Sequence, residues 1–113
     1  APMRVVKKDG TRVPFDRRKI LGGMLKACEK RPVALSALED VVNRIETAIY
    51  RQYDREVPSQ VMGTLVMKAL RELDQVAYVR FASVYREFKD ISAFIDELKP
   101  MLGTKGRRQG AGR

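Results

Sequence analysis

A chain of 113 residues, 44% of them apolar, is long enough to bury a core and short enough to form one domain, and no apolar run approaches the ~18 residues of a membrane span. One cysteine and no histidine exclude an internal disulfide and leave a zinc site within the chain unsupported. The net charge of +9 draws polyanions (nucleotide, nucleic acid, acidic partners) without choosing among them, and four of the positive charges fall in the segment 103–113.

In chain order, Met3–Lys8 and Arg12–Phe15 read as short strands on either side of Asp9-Gly10, a pair suited to the positive φ of a two-residue hairpin turn. A hairpin alone is marginal in water and must dock on something. Asp16 is a good N-cap for a helix reaching about Lys30, where Pro32 stops it. Ile20, Met24, Ala27 and Cys28 form its apolar stripe, with Leu21 and Leu25 beside them. That stripe makes Cys28 a buried structural thiol. Gly22-Gly23 weakens the helix by about 1–2 kcal/mol, which points to a closely packed neighbour.

Ser36-Ala37-Leu38-Glu39 has the pattern of a capping box. The helix it opens runs Leu38, Val41, Val42, Ile45, Ala48, Ile49 and fades near Tyr53. Helical structure restarts at Val57-Pro58-Ser59, with Ser59 as cap, and carries Val61, Leu65, Val66, Ala69, Leu70 and Leu73. Asp74 caps the next helix, with Ala77, Phe81, Val84, Tyr85 and Phe88 on one face. A short last helix, Ser92–Leu98, presents Phe94, Ile95 and Leu98 and ends at Pro100. The expected fold is mainly α, a bundle of about four main helices capped by a small β-hairpin. Residues 1–99 form the domain, and 100–113 form a basic, Gly-rich tail expected to be disordered.

Lys7 and Lys8 on the first strand and Lys19 in the first turn of the helix bring cations from two elements to a helix N-terminus, a seat for a polyphosphate. A lysine at a helix start is disfavoured by about 0.3–1 kcal/mol, a penalty that a bound anion reverses. Enzyme chemistry finds no support. There is no Gly-x-x-x-x-Gly-Lys-Ser/Thr loop. No serine or cysteine has a histidine to activate it, and the carboxylates of Asp16, Glu39, Asp40, Glu72 and Asp74 are scattered at caps and surfaces. A nucleotide would be bound here and not consumed.

Val5-Val6-Lys7-Lys8-Asp9-Gly10, followed by Phe15 and Lys19-Ile20, resembles the N-terminal signature of the ATP-cone domain family. Glu56-Val57-Pro58-Ser59 and the run Leu70–Phe88 resemble the NrdR family of bacterial transcriptional repressors, and the likeness extends from Arg4 to about Leu98. The resemblance implies a regulatory domain, not an enzyme. It would sense ATP and dATP for a repressor of ribonucleotide reductase genes, changing oligomeric state and so DNA binding. It implies Val5 on the adenine side of the pocket, Lys7 and Lys8 at ribose or phosphate, Lys19 at the phosphates and Ile20 against the base. Val13 stands where the family often has a glutamate, and Tyr85 and Phe88 match aromatic positions near the nucleotide or a subunit interface.

Mg²⁺ commonly accompanies such phosphates. Zinc is expected only in the four-cysteine N-terminal ribbon of that family, which also contacts promoter DNA. This sequence starts past the place of such a ribbon, so the resemblance implies a cone fragment. The implied partners are adenine nucleotides, further copies of the chain and, through the ribbon, promoter DNA. No membrane partner is expected, and without a signal-like N-terminus the location is cytoplasmic. Two other readings stay open: a small basic nucleic-acid-binding protein working through phosphate contacts, and an ATP-cone from a ribonucleotide reductase.

Overall fold

A computed structural model describes residues 2–111, with side chains described for 2–102. The elements in chain order are β1 (Arg4–Val6), β2 (Arg12–Pro14), α1 (Arg17–Ala27), α2 (Leu35–Gln52), β3 (Glu56–Pro58), α3 (Ser59–Leu73), α4 (Gln75–Tyr85) and α5 (Ile91–Ala111). No helix among them is long and apolar enough to cross a membrane.

The hairpin is part of a three-stranded sheet of order β2-β1-β3. β1 pairs antiparallel with β2, Val5 opposite Val13, and parallel with β3, Val5 opposite Val57. Strand alternation turns these three valines to one face, where Val5 and Val57 are buried. The opposite face carries Arg4, Arg12 and Glu56, and both guanidiniums bond the one carboxylate, Arg4 at 3.2 Å. The Arg12 hydrogen bond, with Arg4 behind it, holds the Glu56 carboxyl below its ordinary range. β3 corrects the sequence reading, which makes Val57-Pro58 the start of a helix. Pro58 keeps an extended backbone (φ −63°, ψ 139°) and is itself the cap of α3, with Ser59 the first helical residue. A proline fits there because β3 lies at the sheet edge and needs no further donor.

The turn also differs from a two-residue Asp-Gly loop. Strand pairing ends at Val6, so Lys7 and Lys8 lie in the loop and not on the strand. The Gly10 amide donates to the Lys7 carbonyl at 2.9 Å and the Lys7 amide to the Thr11 carbonyl at 2.8 Å. Within this turn only Gly10 takes a positive φ, +87°. This is a three-residue loop with a bulge glycine. The Asp9 carboxylate accepts from the Thr11 hydroxyl and amide, which lower its pKa.

Ile20, Met24 and Ala27 of α1 and Cys28, its C-cap, are buried, as the stripe requires. Burial, with the Asp74 carboxylate nearby, pushes the Cys28 thiol up. α1 ends at Ala27, short of the expected Lys30, and Lys30 takes a left-handed φ of 61° as the chain turns away. The Ser36–Glu39 capping box does not form: Ala34 caps α2 with no side-chain hydrogen bond. Leu38, Val41, Val42, Ile45 and Ile49 of α2 and Val66, Met67 and Leu70 of α3 complete the middle of the core.

α4 buries Ala77, Tyr78, Phe81 and Ala82, a face rotated from the expected one. Val84 and Tyr85 are exposed, and Phe88 lies beyond the helix end, partly buried against the core. α5 does not stop at Pro100: Met101 follows inside the helix and is buried. The rest of the expected disordered tail, from residue 103 in its side chains and in full at 112–113, lies outside the described residues.

Asp74 and Arg80 tie α4 to the end of α1 and the loop after it. The Asp74 carboxylate accepts from the Ala77 amide at 2.9 Å, capping α4, and takes the Arg31 Nε on both oxygens at 3.0 and 3.1 Å. From α4, Arg80 Nη1 donates to the Ala27 and Glu29 carbonyls at 3.2 and 2.7 Å, closing the end of α1. Burial works to raise the Asp74 carboxyl, yet the Ala77 amide and Arg31 outweigh it and hold it below the ordinary range. A depressed carboxylate stabilises the fold above its unfolded pKa of about 3.9, and the contribution is lost as pH falls through the folded value. Asp74→Ala is expected to lose about 1–3 kcal/mol in urea unfolding at pH 7. The stability gap between wild type and Asp74→Asn should narrow below about pH 4.

Candidate nucleotide site

Three elements meet at the proposed polyphosphate seat: the 7–11 loop, the first half of α1 and the end of α4. Asp16 caps α1 by accepting from the Arg18 amide at 3.0 Å. The first turn then holds three cations and no acidic residue. Arg17 bonds Asn43 and Glu46 of α2, and Arg18 folds back on Asp16 at 3.2 Å. Among the described residues Lys19 forms no ion pair, and neither does Lys7. Lys8 Nζ donates to Glu87 Oε2 at 2.9 Å, joining the loop to the segment just after α4.

Gly23 brings α1 against α4. A Cβ there would sit 3.4 Å from the Tyr85 hydroxyl and 3.6 Å from the Phe81 ring. Tyr85 stacks on Phe81 with ring centroids 4.2 Å apart, leaving the phenol 58% exposed on the rim. Lys19 precedes Gly23 by one helical turn and shares its side of α1. The contacts at Glu87 and Gly23 thus tie the loop that carries Lys8 and the helix that carries Lys19 to the same end of α4. Nothing similar ties down Lys7, whose charge acts on Asp9 of its own loop. Val5 and Ile20 are both core residues, 6% and 7% exposed, beneath the loop and α1.

Two recesses of about 520 and 300 Å³ lie elsewhere, one between Arg17 of α1 and Asp40 of α2, the other at Lys26, Lys30 and Arg80. Neither takes a wall from Lys7, Lys8, Lys19 or Tyr85. Sequence reasoning passed over Phe81 as a platform for Tyr85, and Glu87 altogether. Gly23 was the available signal, because a neighbour close enough to need it lies within reach of Lys19. Gly22 carries no such meaning: a Cβ there meets nothing within 4 Å.

The ATP cone domain family matches residues 3–91. The chain is 54% identical over 104 residues to the transcriptional repressor NrdR of Alkaliphilus metalliredigens, covering 92% of this chain and 67% of that protein. It is 57% identical over 107 residues to the NrdR of Geobacillus kaustophilus, covering 95% and 69%. With the NrdR of Acetivibrio thermocellus the identity is 55% over 104 residues, covering 92% and 69%. The chain therefore spans about two thirds of the length of these relatives, which are named as repressors and not as enzymes.

Gly22→Ala is expected to raise stability by about 0.5–1 kcal/mol in thermal or urea unfolding. Gly23→Leu should push Tyr85 off Phe81, read as a change in tyrosine near-UV circular dichroism that Gly22→Ala does not produce.

Proposed function

The chain belongs to the ATP-cone family and to the NrdR repressors, and on that footing we propose that it is the adenine-nucleotide sensor of a repressor of ribonucleotide reductase genes. The observation that supports this reading is that the loop carrying Lys8 and the helix carrying Lys19, which has no ion pair among the described residues, are both tied to the end of α4, where the ring of Tyr85 is exposed. Two ammonium groups from different elements and an aromatic platform suit the phosphates and base of ATP or dATP. Lys7 completes the set by swinging from its loop. Val5 and Ile20 supply apolar floor under the base. Among the described residues no group of three or more acidic, cysteine or histidine side chains is placed to hold a metal, so a Mg²⁺ ion would arrive on the phosphates.

ATP and dATP differ by one hydroxyl, and a neutral hydrogen bond nets only about 0.5–1.5 kcal/mol, at most about tenfold in affinity. Affinity alone sorts them weakly. The sensor works by population shift: each nucleotide favours a different assembly of copies, and the small difference is multiplied over the subunits. Assembly in turn sets promoter binding by the whole repressor. The basic character of the chain, by itself, favours no particular nucleic-acid contact.

Calorimetry with ATP and dATP tests the site. Lys8→Ala and Lys19→Ala are each expected to weaken binding by about tenfold, the range of one charge-assisted contact, and Lys7→Ala by less. Unchanged affinity in all three would remove the assignment. Light scattering should give different masses with ATP and with dATP, and one constant mass in every nucleotide state would contradict the switch.

A further inference from the structure

Lys8 is the one lysine of the proposed site that already has an anionic partner among the described residues, Glu87 at 2.9 Å. The pair spans 79 residues of sequence, from the hairpin loop to the segment joining α4 to α5. Both side chains are 76% exposed, so water and small anions reach them. An exposed, singly bonded pair of this kind is weak and is readily exchanged for a better anion.

The flanks of Glu87 belong to a different contact. Arg86 donates to Glu97 of α5 at 3.1 Å, and Glu97 also accepts from the Tyr78 hydroxyl of α4 at 2.9 Å. Phe88 packs edge-to-face on Phe94 of α5 with centroids 5.1 Å apart, and the Arg86 guanidinium lies over the Phe88 ring at 5.6 Å. Three consecutive residues thus join the hairpin loop, through Glu87, to the seat of α5, through Arg86 and Phe88.

Resting on the nucleotide reading above, we propose that Glu87 is the resident counter-ion of Lys8, displaced when a polyphosphate takes the same ammonium, and that its release loosens the connector seating α5. A triphosphate that reaches Lys8 brings several negative charges to the place the carboxylate occupies. Like charges at that distance repel, and the carboxylate, which has no second partner among the described residues, swings away. Glu87 therefore lowers nucleotide affinity in exchange for transmitting occupancy to α5. The helix that receives the signal exposes Ile91, Ile95 and Leu102 along one side, so a shift of its seat moves an apolar surface.

Titration calorimetry of the 113-residue chain with ATP tests the first half. Glu87→Gln keeps the shape and removes the charge. It should tighten ATP binding about three- to tenfold at low salt and less at high salt. In a Lys8→Ala background the same substitution should change nothing, and Glu72→Gln on α3 should leave affinity unchanged. Hydrogen exchange tests the second half: amides of 86–98 should exchange faster in wild type with ATP and in Glu87→Gln without it. If wild type binds ATP while Glu87→Gln binds equally or more weakly, or stays tighter without Lys8, the counter-ion role is overturned. If 86–98 exchanges identically in every state, the transmission is overturned. Wild type that binds no ATP would instead overturn the underlying nucleotide reading.

Discussion

Asp74 and Arg80 fix the fourth helix against the end of the first and the loop that follows it. One carboxylate caps α4, takes the Arg31 guanidinium on both oxygens and is nearly enclosed, and Arg80, two turns along α4, returns to the open carbonyls at the end of α1. Hydrogen bonds to a charged group in partial burial are among the strongest single contacts a small domain has. With α1 and α4 fixed in this way, Gly23 meets Tyr85, and the first turns of α1 come to lie beside the end of α4. The sheet then needs only to dock. Val5 and Val57 enter the core, and Phe15 meets Tyr50 of α2 edge-on at 5.9 Å. The loop that results keeps its shape through its own turn bonds and reaches the segment after α4 through Lys8 and Glu87.

Much of this is legible in the residues. The 3.6-residue stripes of α1, α2 and α3 are strong because each helix buries one face, and Asp16 and Asp74 are caps in the structure as in the sequence. What could not be read has physical causes. Val57 lies in a three-residue strand whose partner is fifty residues away, and nothing local distinguishes it from the approach to a helix. The Ser36–Glu39 pattern fails because α2 begins earlier, at Leu35, and Ser36 is already helical. In α4 the apolar residues occur on more than one side, so periodicity cannot choose the buried face. Packing buries Tyr78, whose hydroxyl finds Glu97, and leaves Tyr85 outside. For the candidate site, the sequence supplies the cations but not their partners. That Lys8 pairs with Glu87 depends on where α4 ends, which is a property of the packed chain.

The balance of charges around the loop gives the account its functional sense. Three cations open α1 without an acidic residue, against the preference of the helix dipole. Two are absorbed by Asn43, Glu46 and Asp16. Lys19 forms no ion pair among the described residues, although its charge acts on Asp16, and Lys8 is held by an exposed carboxylate. Such an arrangement is costly for a protein that binds nothing there and reasonable for one that receives a polyanion. Its parts are two side-chain ammonium groups and one exposed ring. A site of that kind responds to occupancy by moving, which is what a regulatory domain requires.

A titration of the isotopically labelled chain with ATP, followed amide by amide in nuclear magnetic resonance spectra, examines the central claim most directly. Shifts should concentrate in Lys7–Thr11, in the first two turns of α1 and at Tyr85–Phe88, the three segments that meet around Lys8 and Gly23. Shifts confined to the recess at Lys26, Lys30 and Arg80, or spectra that do not respond to ATP, would contradict it.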